Sequence, residues 1–574
     1  MTATILKADS IITMDEANPR AEAIAFDDAT GKILAVGTVA QCQAAAPGVT
    51  VTDLGTTVLM PGFIEAHSHP MLGGMITQAP SYWIAPYMGY PNITDVHALW
   101  TKVDAELPPD QPVVFQGLDR LLQQAEMPTN VDLDTFFPTR RAVVLDNSGH
   151  VAYFNSAVIA FNKWPGGKPP ANPPGAHFGR NADGTSNGVA YETAAMLEAA
   201  MPTLKDAVPH PLESAARWMQ YMAGFGITAT SEMTYSTNML KGYEALTTRP
   251  DSPVRMSLYH MAIDSDAGVQ VDSPDPSMLR KQGVKLWADG SPWVGSIAAS
   301  FPYLDTPAVQ KAEIPLGPGG MAMMNYTRVE LDALLAKYAP MGWQMSFHVN
   351  GDIGLDVVLD AYEQALTQNN LMGTDHRWRV EHCGAGRGDQ FERAVSMGVT
   401  ISLGPFQYIY WGDLLDGTMF ASEIGSQWMR WGDAVRAGAH LSFHNDGPVT
   451  PPIPLLNIQT AITRTTDTGQ VHGANQIISI EDALKAETIG AAYMLHRDDE
   501  IGSLAAGKYA DLVELSMDPY LAEPTKLATQ VKVQGTWRGG HKVDLAAFME
   551  QIQAVEAAGT HQVDHTAVVA AHKC

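Results

Sequence analysis

The chain has 574 residues, enough for one large domain with attachments or for several domains. A hydrophobic share of 45% against 17% charged residues fits a large buried core and argues against disorder. The formal charge of −26 disfavours nucleic acid and anionic membrane as partners, because both reward Lys and Arg. No apolar run of about 18 residues appears, which argues against a membrane span. The start, "MTATILKADSIITMDEANPR", lacks a basic leader followed by an apolar core. Cys42, Cys383 and Cys574 form no C-x-x-C pair, so a reduced, cytoplasmic setting is expected.

In chain order, residues 1–57 read as short alternating strands, "TILKADSIITM" and "EAIAFDDATGKILAVG" among them. Near the other end, "IGSLAAGKYADLVELS" and "VKVQGTWRGG" have the same character. Neither stretch closes a core alone, so 1–57 and 500–545 are expected to form one small composite β-sandwich. Residues 58–499 are expected to form the main domain, with 546–574 as a C-terminal helix and tail.

Eight apolar strand candidates span this middle part, at 57–67, 226–233, 254–263, 283–290, 343–352, 378–383, 398–405 and 439–448. Amphipathic segments such as "TRVELDALLAKYAPMG" separate most of them. The alternation predicts an α/β fold, a (β/α)8 TIM-type barrel. The first two strands stand much further apart than one helix requires. Residues 71–225 contain strands of their own, "PVVFQGL" and "RAVVLDNSGH", and a Pro/Gly/Asn-rich run, so they read as an inserted cap.

Several barrel strands finish on a potential metal ligand. In "LMPGFIEAHSHPMLGG", His67 and His69 stand at i and i+2 and so share a face at the strand's end. The fourth strand carries Lys285, the fifth His348, the sixth His382 and the eighth Asp446. The carboxyl ends of barrel strands ring one face, so these six residues are expected to meet. Four imidazoles with a carboxylate suit zinc or a similar first-row divalent ion. Taken singly, the histidines also read as hydrogen-bonded core residues, and Lys285 as an ion-pair partner of Asp289. Trp83, Trp293, Phe406 and Tyr408 are candidate pocket residues on the same face, suited to an apolar or aromatic small molecule. His444 shares the inward face with Asp446 and joins them, while His150 in "NSGH" reads equally as a substrate contact or a loop anchor.

The segments "PGFIEAHSHP", "GVKLWADGS", "FHVNGD", "RVEHC", "HNDGPV" and "SLAAGKYADLVEL" together resemble the metal-dependent amidohydrolase superfamily. Within it, the match is to the YtcJ-like branch that contains N-substituted formamide deformylase, supported also by "LDTFFPTRRAVVLDNSGHVAYFNSAV" in the insertion. The resemblance covers the chain to about residue 545. It implies that His67, His69 and Asp446 hold one ion and that His348 and His382 hold a second. Lys285 would bridge the two as a carbamate. The implied activity is hydrolysis of a non-peptide C–N amide bond by metal-activated hydroxide, with Asp446 as general base and then general acid. Deamination, ester hydrolysis or a non-catalytic regulatory role remain as alternatives. A small-molecule substrate is the expected partner, and the question of a homo-oligomer stays open. One departure stands out: the branch has Gly-Ser-Asp on the last strand where this chain has His444-Asn445-Asp446.

Overall fold

The computed structural model describes residues 2–173 and 176–558. Eight parallel strands form one sheet in chain order: β1 (Phe63–Glu65), β2 (Ile227–Tyr235), β3 (Arg255–Met261), β4 (Leu279–Trp287), β5 (Gln344–Val349), β6 (Arg379–His382), β7 (Thr400–Leu403) and β8 (Leu441–Phe443). Helices such as Asp352–Gln368 and Gly388–Ser396 return the chain between strands. Every residue of β3 ("RMSLYHM") and β5 ("QMSFHV") is buried. Both interleave polar with apolar residues, so burial of both faces encloses Ser257, His260, Gln344, Ser346 and His348 in the interior. The register then sets the heights of the chemical groups. Lys285 stands beside Met261 and Ser346, His348 beside Glu381, and Val349 beside His382.

β1 and β8 meet without a ladder between them among the described residues. The His69 N–H donates to the Gly447 carbonyl at 2.8 Å. The Glu65 side chain accepts from the Asn445 backbone N–H at 2.6 Å and from its Nδ2 at 2.9 Å. A side chain thus spans the seam that backbone pairing leaves open. Burial pushes the Glu65 carboxyl up to about 8.

The expected first strand, 57–67, is two strands. Val58–Pro61 joins a different sheet, and only Phe63–Glu65 belongs to the barrel. The chain crosses over at Gly62, where a Cβ would lie 2.3 Å from the Thr228 side chain. Only glycine permits that approach.

Strands from both chain ends share a second sheet of eight. Its order is His541–Lys542, Val533–Arg538, Leu512–Leu515, Val58–Pro61, Ala3–Ile12, Arg20–Asp27 and Ile33–Gly37, with Val51–Asp53 also paired to Ala3–Ile12. The sandwich expected from the sequence takes the form of this single hydrogen-bonded sheet. Ile5, Ala23 and Ala25 pack with Cys42 and Ala46 on one face, and Leu6, Ile24 and Phe26 pack with Leu59 and Leu512 on the other. A buried ion pair between Arg255 of β3 and Asp511, at 2.6 and 3.0 Å, ties this sheet to the barrel.

Between β1 and β2 lies a third sheet. Its six strands run in the order His177–Arg180, Ser186–Tyr191, Val151–Phe154, Ala142–Asp146, Val113–Leu118 and Tyr82–Trp83. The helix Glu192–Ala207 follows it. Near the other end, the helix Leu545–Ala557 buries Phe548 and Ile552 in a cluster with Leu212, Ala215 and Met219 of the helix Pro211–Gly224. The rest of the expected tail, from residue 559, lies outside the described residues. No described helix is long and apolar enough to cross a membrane.

Candidate metal centre

The carboxyl ends of β1, β4, β6 and β8 bring His67, His69, Lys285, His382 and Asp446 to one place. Asp446 Oδ1 lies 3.3 Å from His67 Nε2 and 3.3 Å from His69 Nε2. Lys285 Nζ lies 3.2 Å from His67 Nε2, and His382 Nε2 lies 4.0 Å from Asp446 Oδ2. His67, His69 and Asp446 therefore form a group in which each offers one atom to a common point. Asp446 Oδ1 and His382 Nε2 are buried and make no hydrogen bond. Leaving such atoms unsatisfied costs roughly 1–3 kcal/mol each, and a shared cation would remove that cost. The backbone is also held unfavourably here. His382 has φ +68° and Asp446 φ +52°, a left-handed conformation that costs a non-glycine residue about 1 kcal/mol or more.

Each imidazole has its other nitrogen occupied, which fixes the tautomer. His67 Nδ1 donates to Glu381 Oε2 at 2.8 Å. Arg379 holds Glu381 in turn, donating from Nη2 at 2.9 Å to Oε2 and from Nε to Oε1. Burial alone would raise the Glu381 carboxyl, but Arg379 and His67 hold it well below the usual range. His69 Nδ1 bonds Thr234 Oγ1 at 3.2 Å, and that hydroxyl donates to Glu232 Oε1 at 2.7 Å. Burial opposes charge on His69, yet Asp446 and Glu232 outweigh it and lift the ring to about 9. His348 donates from Nε2 to the Gly290 carbonyl at 3.0 Å, so Nδ1 is the nitrogen it has for a cation. Its ring centroid lies 4.5 Å from that of His382. Burial keeps His348 and His382 well below the ordinary imidazole value, so both stay neutral and keep a lone pair.

His444 accounts for the departure noted on the last strand. Its Nε2 lies 3.0 Å from His382 Nδ1, and its Nδ1 lies 2.8 Å from Ser402 Oγ. Both of its nitrogens are engaged, so it orients His382 and does not line the cavity. Lys285 does not pair with Asp289. That carboxylate instead accepts three backbone N–H bonds, from Asn350 at 2.8 Å, Gly351 at 2.7 Å and Ala298 at 3.0 Å. Burial lowers the Lys285 amine to about 8.

The centre opens into a cavity of about 160 Å³. Among the expected pocket residues, His150, Trp293 and Phe406 line it. Trp83 and Tyr408 do not. Trp83 is buried against Trp218, Tyr87 and Tyr221. Tyr408 turns to the opposite side of its helix, where its hydroxyl donates to the carbonyls of Arg464 at 2.7 Å and His472 at 3.0 Å. Part of the lining, which sequence reading missed, is apolar. It comes from Met196, Ala200, Met201 and Leu204 of the inserted helix with Leu72 and Ile76. Glu381, Glu232 and Ser402 were missed as well, although Glu381 adjoins His382 in "RVEHC".

The sequence pattern of the amidohydrolase family matches residues 50–544, most of the chain. The chain belongs to that family. Among its curated relatives is the N-substituted formamide deformylase of Arthrobacter pascens, 24% identical over 530 residues, covering 89% of this chain and 92% of the relative. The putative amidohydrolase YtcJ of Bacillus subtilis is 23% identical over 538 residues, covering 90% and 95%. Among solved structures, an uncharacterized metal-dependent hydrolase from Pyrococcus horikoshii superposes with a TM-score of 0.69 at 21% identity, covering 91% of this chain and 99% of that one. At that identity the likeness speaks for the fold. The Glu65 seam, the Arg379–Glu381–His67 relay and the His444–His382 contact describe how this amidohydrolase assembles its centre.

Proposed function

We propose that this amidohydrolase is a metal-dependent hydrolase of a non-peptide C–N bond, acting on an amide of an apolar or aromatic small molecule. One observation carries the reading: Asp446 Oδ1 and His382 Nε2 are buried without hydrogen bonds, Asp446 at a point shared with His67 and His69, and all four residues line a cavity with a largely apolar lining. The donor set of imidazoles and one carboxylate fits a first-row divalent ion, with zinc the leading candidate, and binding it would displace the proton that His69 otherwise holds. His67, His69 and Asp446 would hold one ion, and His348 and His382 a second. Such an ion supplies Lewis acidity, activating water and polarising a carbonyl.

The chain's own residues do the rest. Asp446 takes a proton from the attacking water as its oxygen bonds the carbonyl carbon, and returns it to the nitrogen as the C–N bond breaks. The surrounding imidazoles hold that carboxyl well below its usual value against the effect of burial, so it stands ionised. Lys285, lowered to about 8, has a larger uncharged fraction near neutrality than an ordinary lysine. That amine can form an N–C bond to carbon dioxide and release one proton, giving a carbamate able to ligate where an ammonium cannot. The names of the relatives support an amide substrate, and the apolar wall supports an apolar substituent on it.

Elemental analysis of the wild type and Lys285→Ala tests this reading. About two ions per chain, falling sharply in the variant, would match the bridged pair. One ion retained in the variant would mean a mononuclear centre with a different role for Lys285. A metal-free wild type, purified without chelators, would overturn the proposal. A panel of N-substituted formamides, anilides, lactams and esters then tests the bond, and turnover of esters alone would exclude the amide reading.

A further inference from the structure

The inserted sheet brings a second pair of polar residues to the cavity. Its antiparallel register places Val151 opposite Tyr191 and Ala152 opposite Ala190. One step further along, His150 faces Glu192, whose N–H donates to the His150 carbonyl at 2.8 Å. The side chains bond as well, His150 Nδ1 lying 2.8 Å from Glu192 Oε2. His150 lines the cavity with its ring centroid 5.8 Å from that of His348, whereas Glu192 stands behind it, off the wall. With Nδ1 committed to Glu192, Nε2 is the nitrogen left for the cavity, and it bonds no group among the described residues.

Two features argue against a mere loop anchor. The turn before His150 is already held by Gly149 N–H on the Asp146 carbonyl at 3.0 Å, Ser148 N–H on Asp146 Oδ1 at 2.9 Å, and His150 N–H on Ser148 Oγ at 3.2 Å. The ring is not needed for it. Glu192 also has φ +62°, a backbone state in which glycine is at ease and glutamate is strained. A strained backbone that keeps a carboxylate on an imidazole marks a use for that carboxylate.

We propose that His150 Nε2 contacts the amide group of the substrate, and that Glu192 is the positioning residue that aims the ring. This rests on the hydrolase reading of the centre. The cavity's two ends then have separate tasks, the His150 end holding the amide over the ligand cluster while the inserted helix accepts its apolar substituent.

The test uses the full chain as purified, with benzohydroxamate as the probe, because it carries an amide and a phenyl group and binds whether or not turnover occurs. Calorimetry should show His150→Ala binding at least about tenfold more weakly, the loss of one well-placed hydrogen bond, at unchanged metal content. Added imidazole should restore part of it, and His150→Gln should retain more than the alanine variant and replaces it if that variant fails to fold. Glu192→Gly should weaken binding similarly while its thermal midpoint stays level or rises, since glycine relieves the backbone; a structural role alone predicts the opposite. Glu192→Gln, which still accepts from Nδ1, should retain binding. Binding by His150→Ala and His150→Gln within about twofold of wild type would overturn the contact, as would a metal-loaded wild type that ignores the probe. A metal-free wild type would instead overturn the hydrolase reading and this inference with it.

Discussion

Glu381→Gln tests whether the centre is held from behind. The carboxylate accepts from His67 Nδ1 at 2.8 Å, from Ser346 Oγ at 2.8 Å and from Arg379 through two nitrogens. Arg379 is fully buried, and its remaining partners are neutral: Tyr259 Oη at 3.0 Å and the Ala66 carbonyl at 2.9 Å. Glutamine has nearly the same shape, so no cavity forms, but Arg379 is left as a buried charge without its anion. Removing one partner of a buried pair costs about 3–5 kcal/mol. Glutamine keeps one acceptor oxygen, for which His67 Nδ1, Ser346 and Arg379 then compete, so the tautomer of His67 is held less firmly and metal affinity should fall about 10- to 100-fold. Denaturant unfolding in the presence of a chelator reads the first effect, and metal titration of the folded variant the second. Arg379→Met added to Glu381→Gln should recover part of the stability, because the stranded charge is gone. A loss under about 1 kcal/mol for Glu381→Gln, or a double variant whose losses simply add, would refute the reasoning.

Three further outcomes follow from the same geometry. Asp446→Asn should lower kcat on any amide of the panel by about 10²- to 10⁴-fold, the range for a proton-transfer group, while the thermal midpoint stays near wild type. Ala200→Phe narrows the apolar end of the cavity, so KM should rise with the size of the nitrogen substituent while formamides bearing only a methyl group keep theirs. Glu65, raised to about 8 in the fold, binds its proton more tightly there than when unfolded near 4.5. Native stability is therefore lost as pH rises from about 4.5 to about 8, by an amount on the order of 5 kcal/mol at the limit. Glu65→Gln should abolish that dependence in chelator-treated protein, and an unchanged pH profile would show that Glu65 is ionised in the seam.

The sequence alone carried the barrel and the candidate ligands at its carboxyl rim. Strand and helix segments alternate along the chain, and each strand of a parallel barrel ends on the same rim, so His67, His69, Lys285, His348, His382 and Asp446 were legible from their places at strand ends. Spacing along one strand is a local property, and "HSH" needed no partner to be read. What surrounds those ligands was not local. Glu381 serves His67 from another strand, Glu232 reaches His69 through Thr234, and Glu192 meets His150 only because an antiparallel register sets them side by side. Aromatic residues on the right loops were misassigned for the same reason: Tyr408 and Phe406 lie two apart on one helix, and only packing decides which of them faces the cavity. The break at Gly62 depends on Thr228 lying against it across the sheet, a contact far away in sequence. Periodicity and composition fix which faces are buried. Convergence of side chains from distant strands is fixed by closure of the barrel, so the orienting groups, the seam and the cavity wall belong to the tertiary structure.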